Sequence, residues 1–293
     1  MNDISLGEAL LFCPGDRPDR FAKALHCSDR IILDLEDAVS PSAKAQARNG
    51  VIDALASLGD RVIVRINATT SEWFAADIQA LRDACEKGIH SPLIMLPKAE
   101  TIEQLNLLPG FSVIALCETA MGVQNASILA KADNCVALFW GGEDLIADLG
   151  GCRSRGPSGR YYPLIEQARS TILLAAAAQR KPAIDAVHID ITDLDGLARE
   201  SREASDLGFR CKACIHPSHV ATIRQAFVPS DDRCRWAIAV VAAMDSANGG
   251  VASVNGQMID EPLYKQALRI IEAASRTLGP TEIQGPPQEQ AAH

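Results

Sequence analysis

Eight short apolar runs punctuate the chain: ALLFCPG (9–15), RIILDLE (30–36), RVIVRIN (61–67), SPLIMLP (91–97), SVIALCE (112–118), CVALFWG (135–141), AIDAVHI (183–189) and CKACIHP (211–217). Most are continuous rather than alternating, the pattern of parallel strands covered on both faces. Between them the spacing predicts helices at 42–58, 71–87, 101–108, 126–132, 163–179 and 194–207. Eight strands alternating with helices read as an α/β chain of the (β/α)8 TIM-barrel type, the alternative being an open doubly wound sheet. No Gly-x-Gly-x-x-Gly follows the first strand, which weakens the open-sheet reading.

The pattern changes after residue 229. A helix is predicted over 231–244, then a glycine-rich link, ANGGVASVNG (247–256). A last amphipathic helix carries Pro262 in its first turn and Leu263, Ala267, Ile270 and Ile271 on one face. The expected division is a catalytic barrel over 1–229 and a C-terminal helical extension over 230–293. Such an extension folds back on its own barrel or reaches a neighbouring subunit, and the pattern leaves both open.

Composition narrows the function. With 47% hydrophobic and 22% charged residues, the chain has the apolar content of a folded core. A formal net charge of −9 argues against nucleic-acid and anionic-membrane partners, which need a basic footprint. The longest apolar stretches, such as ILLAAAA at 172–178, fall far short of the roughly 20 residues of a membrane helix. The start of the chain lacks a signal-peptide core, and the nine cysteines are scattered through apolar runs. These features read as reduced, buried thiols and a cytoplasmic location.

Barrel enzymes work at the carboxyl ends of their strands. Here the expected strand ends carry Asp34, Glu36 and Asp37, then Arg65 and Asn67, then Lys98, then Glu118. Gly141, Gly142, Glu143 and Asp144 follow the sixth strand, Asp190 the seventh and His216 the eighth. Singly, each reads equally well as an ion-pair member or a helix cap. Gathered at one rim, they point to chemistry. Two carboxylates about 4 Å apart repel by roughly 4 kcal/mol at an effective dielectric of about 20. A shared proton, basic neighbours or a divalent cation removes that cost, and Mg²⁺ is the first choice. The lone CKAC pair (Cys211, Cys214) and the isolated His216 and His219 make no zinc-like set. Arg65 can fork onto a substrate carboxylate. Free N–H groups of the GGED stretch can hold an anion, with Asp144 as metal ligand or simple cap. Asp34, Glu36 and Asp37 read as supports for Arg65 or Lys98 rather than substrate contacts. Lys98 reads as an ion-pair member, with a Schiff-base role as its rival.

These residues resemble a known family. FCPGDRPDRFAKAL (12–25), ILDLEDAVSPSAKAQAR (32–48), VRIN (64–67), LPKAE (96–100), ALCETAMGVQN (115–125), FWGGEDLIADLG (139–150), PAIDAV (182–187), IHPSH (215–219) and NGQMIDEPL (255–263) are similar to the citrate lyase β-subunit-like branch of the HpcH/HpaI aldolases. The resemblance implies a TIM-type barrel with Mg²⁺ held by Glu118 and Asp144. It also implies an oxoacid gripped by Arg65 with help from the backbone of Gly141, Gly142 and Glu143. Arg17 and Lys23 would then lie near coenzyme A, and Asp260 would come from a neighbouring subunit as acid and base, in a homo-oligomer such as a trimer or hexamer. The implied activity is carbon–carbon cleavage or Claisen formation of a 3-hydroxy-acyl-CoA, such as citramalyl-, malyl-, hydroxymethylglutaryl- or citryl-CoA, yielding an acyl-CoA and an oxoacid. Its rivals are a citrate lyase subunit acting on a citryl-carrier thioester, an aldolase of free oxoacids, and an inactive barrel scaffold.

Overall fold

The computed structural model describes residues 5–247 and 250–278. Eight parallel strands close in sequence order: β1 (Ala9–Pro14), β2 (Arg30–Asp34), β3 (Val62–Arg65), β4 (Leu93–Leu96), β5 (Val113–Cys117), β6 (Cys135–Trp140), β7 (Ala183–Asp185) and β8 (Cys211–Cys214). Closure is direct, with Leu10 of β1 paired to Ala213 of β8. The fold class is the expected (β/α)8 barrel with a helical C-terminal extension. Around the barrel lie α1 (Pro18–Cys27), α2 (Lys44–Leu58), α3 (Phe74–Glu86), α4 (Ile102–Asn106), α5 (Ala120–Gln124), α6 (Ala126–Leu129), α7 (Gly142–Asp148), α8 (Pro163–Ala178), α9 (Leu194–Leu207) and α10 (Ser218–Phe227).

The continuous apolar runs form strands because helices cover one side and the barrel interior the other. Every residue of β2, β3, β5 and β8 is buried. Leu10, Ile32, Ile63, Met95, Ile114 and Ile184 belong to one apolar cluster. Local chemistry sets the helix ends. Pro18 and Pro163 open α1 and α8, Thr101 and Gln104 close a capping box on α4, and Gly208 ends α9 in the left-handed conformation.

Two strand ends differ from the sequence expectation. β7 stops at Asp185, so Asp190 lies out on the following loop, exposed and accepting hydrogen bonds from Thr192. β8 stops at Cys214, and the exposed His216 bonds to Ser218. The apolar run outlasts the ladder because Ala186 is buried and Val187 packs on the barrel cluster without strand pairing. Helices α1, α5 and α10 lie outside the predicted elements, and α7 begins at the GGED stretch.

The chain separates into two compact units that divide between Arg224 and Gln225. In the second, α11 (Asp231–Ser246) and α12 (Glu261–Leu278) share a core with Ala237, Val240, Ile259 and Ala267. The stretch expected to be a link holds instead part of a hairpin, β9 (Ala252–Val254) and β10 (Gln257–Ile259). Its turn, Asn255-Gly256, has positive φ at both residues (51° and 78°), the geometry that suits a two-residue hairpin. Among the described residues no helix is long and apolar enough to cross a membrane. All nine cysteines are free, five of them buried, and Cys152 is exposed.

Candidate active site

A cavity of about 380 Å³ opens at the carboxyl ends of the strands, with Arg65, Glu118 and Asp144 in its wall. Asp34 and Arg65 are register partners across β2 and β3. Their side chains therefore emerge together. Arg65 donates from Nε to Asp34 Oδ1 (2.7 Å) and from Nη2 to Asp34 Oδ2 (2.6 Å). Asp34 also accepts from the backbone N–H of Glu36 and Ala38, so it folds the β2 loop around itself. Glu36 Oε2 lies 3.1 Å from Arg65 Nη1, and Glu36 Oε1 lies 2.5 Å from Lys98 Nζ. Asp37 stands farther off, 3.9 Å from Arg65. Burial works against the charge of Arg65, but Asp34, Glu36 and Glu118 outweigh it and hold the guanidinium protonated. Its side-on fork is taken by Asp34. The face of the guanidinium lies over the Phe12 ring at 5.0 Å.

Beneath this cluster are polar groups that sequence reasoning missed. Lys44 on α2 is buried and donates to the carbonyls of Leu35 and Glu36 and to Asn67 Oδ1. Asp77 on α3 accepts from both nitrogens of Asn67 and from Arg48. They anchor the loop that carries Glu36. The available signal was the basic pair Lys44 and Arg48 one helical turn apart, which looks like a solvated face.

Glu118 follows β5 and is 2% exposed. Its Oε1 accepts from the Lys98 N–H at 3.0 Å. Burial, then the charges of Asp144 and Glu36, push its carboxyl up to about 8. Gly141 caps α7 against it: a Cβ there would come within 2.9 Å of Glu118 Cβ and 3.0 Å of Oε2. The absent side chain leaves room for the carboxylate and for what it binds. Gly142 packs over Trp140, where a Cβ would meet the indole at 3.1 Å. Asp144, in the first turn of α7, lines the same cavity.

This donor set suits a hard cation. Two oxygen ligands from Glu118 and Asp144 leave most of an octahedron to water and substrate oxygens, the habit of Mg²⁺. Among the described residues no group of three or more His, Cys, Asp or Glu side chains could hold a metal, so a closed zinc-type cage is not built. The cavity is also lined by the apolar side chains of Phe12, Leu116, Phe139, Val187 and Ile215.

Other candidates fall elsewhere. Glu143 turns its carboxylate to Ser154 and Arg155. Arg17 and Lys23 do not line the cavity; Arg17 is partly exposed and paired with Asp19, and Lys23 is exposed on α1. Asp260 belongs to the second unit, where its Oδ1 accepts from the Leu263 N–H at the start of α12 and the residue borders a groove with Tyr264 and Lys265.

The HpcH/HpaI aldolase/citrate lyase family model matches residues 8–217, which include all eight barrel strands. The chain belongs to this family. It is 44% identical to a citrate lyase subunit beta-like protein of Mycobacterium tuberculosis, over 94% of this chain and 98% of the relative. It is 32% identical to a mitochondrial citramalyl-CoA lyase of Rattus norvegicus, over 91% of this chain and 86% of that enzyme. Among solved structures it is similar to the Mycobacterium tuberculosis protein CitE in complex with magnesium, acetoacetate and coenzyme A. That structure has a TM-score of 0.86 and 44% identity, with 92% of this chain and 99% of that one covered.

Proposed function

We propose that this family member is a Mg²⁺-dependent carbon–carbon lyase that cleaves, or forms by Claisen condensation, a 3-hydroxy-acyl-CoA thioester, with an acyl-CoA and a small oxoacid on the other side of the equation. The observation that carries the reading is the juxtaposition, in one cavity, of two metal-suited carboxylates and one buried arginine. The kinship with a citramalyl-CoA lyase and the magnesium, acetoacetate and coenzyme A bound to a relative support it.

Glu118 and Asp144 would hold Mg²⁺, which would supply Lewis-acid polarisation of substrate oxygens. Arg65, held rigid by Asp34 and Glu36, binds the oxoacid carboxylate and fixes its orientation, with backbone N–H groups of Gly141, Gly142 and Glu143 beside it. Lys98 is tied to Glu36 and serves the same support rather than forming a Schiff base. Phe12, Leu116 and Phe139 line the cavity and would limit the water around a thioester enolate. Asp260, brought by the 230–293 extension of a neighbouring subunit, gives a proton to the enolate carbon in cleavage and takes it in condensation. Arg17 and Lys23 serve the coenzyme. The reading includes a homo-oligomer, trimeric or hexameric, in the cytoplasm.

Replacing Glu118 or Asp144 by alanine is expected to abolish Mg²⁺-dependent release of acyl-CoA from citramalyl- or malyl-CoA. Unchanged turnover in either variant overturns the metal assignment. A fully active monomer in sedimentation overturns the exchanged extension.

A further inference from the structure

On the β6–β8 flank of the barrel a second set of charges is mostly buried, and it ends at the half-exposed Glu143 beside Asp144. Glu143 Oε1 accepts from Ser154 Oγ (2.6 Å) and from Arg155 Nη1 (2.9 Å). Arg155 also donates from Nε to Glu200 Oε1 (2.9 Å), and its guanidinium lies 4.1 Å over the Tyr161 ring. Glu200 reaches Lys212 Nζ at 3.6 Å; Lys212 donates to Asp185 at 2.8 Å; Asp185 accepts from the Trp140 indole N–H at 2.9 Å. Trp140 is the last residue of β6, two positions before α7 begins. The contacts, together with the backbone from Trp140 to Glu143, thus form a closed circuit.

The helix inside this circuit needs the support. α7 has seven residues, and its N-cap, Gly141, contributes no side-chain bond. So short a helix does not hold its first turn by its own propensity. We propose that Arg155 is a positioning residue for the metal site: through Glu143 it locks the first turn of α7 and so fixes where the neighbouring Asp144 carboxylate faces Glu118. Arg155 also keeps the Glu143 carboxylate turned away, which stops a further anion from adding to Glu118 and Asp144. This rests on the metal reading above and adds to it a residue outside the cavity wall.

The test is Mn²⁺ binding to the purified full-length chain, followed by electron paramagnetic resonance, with thermal melts in parallel. Glu143→Ala and Arg155→Ala should each weaken Mn²⁺ binding by roughly 10- to 100-fold. The double variant should be no weaker than the singles, because the two act in series. Glu143→Gln, which keeps an acceptor for Ser154 and Arg155, should recover most of the affinity. Glu143→Ala is the informative variant if Arg155→Ala folds poorly, since it leaves the Arg155–Glu200 pair in place. Wild-type Mn²⁺ affinity in Glu143→Ala, or additive losses in the double variant, would overturn the proposal. Asp144→Ala separates the two readings. If it abolishes binding while Glu143→Ala does not weaken it, only the positioning role falls; if it binds Mn²⁺ like the parent chain, the metal reading falls and the positioning role with it.

Discussion

The barrel contains the same device twice, with opposite electrostatic outcomes. Asp34 and Arg65 face each other across β2 and β3, and Asp185 and Lys212 across β7 and β8. Around Asp185 the charges close: Glu143, Asp185 and Glu200 meet Arg155, Arg169 and Lys212. Burial alone would raise the carboxyls of Asp185 and Glu200. Lys212 and Arg169 outweigh it at Asp185, and His188, Lys212 and Arg155 at Glu200, so both stay below the usual carboxylate range. Around Asp34 the charges do not close. Asp34, Glu36 and Glu118 share Arg65 and Lys98 above the buried Lys44, Asp144 stands close to Glu118, and burial leaves the carboxyls of Glu36 and Glu118 raised. One flank is finished by protein alone. The other is left short of positive charge, as a site that receives a cation and an anionic substrate together should be.

The comparison breaks most visibly at Lys212, which is fully buried. Lys212→Met leaves Asp185 to Arg169 alone and takes one of the cations from Glu200, and should cost about 3–5 kcal/mol of stability, read from urea midpoints. The acid limb offers a second reading. Asp185 and Glu200 bind protons less readily folded than unfolded, so their contribution is complete above about pH 4.5 and fades as pH falls below it. In Lys212→Met the pH dependence of the midpoint below that value should flatten. Arg65→Lys keeps the charge but loses the fork, and kcat/KM should fall about 10- to 100-fold, from 1.5–3 kcal/mol of charge-assisted bonding. Asp37→Asn should change kcat/KM by at most about fivefold, because that carboxylate is exposed and 3.9 Å from its partner. A larger effect from Asp37 than from Arg65 would reverse the ranking of the rim.

Much of the architecture was legible in the sequence because parallel strands buried on both sides must be apolar throughout. All eight runs contain a strand, though β7 has only three paired residues. The hairpin at β9 and β10 was hidden by glycines that suggested a link, although Asn255-Gly256 is a turn signal in its own right. At the site, the rim acids stand out because charge follows apolar runs. Their pairing does not, since register between β2 and β3 decides that Asp34 takes the fork of Arg65. The β6–β8 network was harder still. In CKAC the cysteines draw the eye, while the lysine between them carries the buried charge.

Barrel closure through β1 and β8 also orders events in time. The β2–β3 pair that holds Arg65 joins residues 31 positions apart, whereas Leu10 finds Ala213 only after some two hundred intervening residues have been made. At about 5–20 residues per second, synthesis of that interval takes on the order of 10–40 seconds. By the end of that interval the nascent chain holds its first seven strands, with open edges on β1 and β7 and no Lys212 for Asp185. Chaperone dependence and aggregation during expression should therefore concentrate in the stretch of translation before β8 emerges.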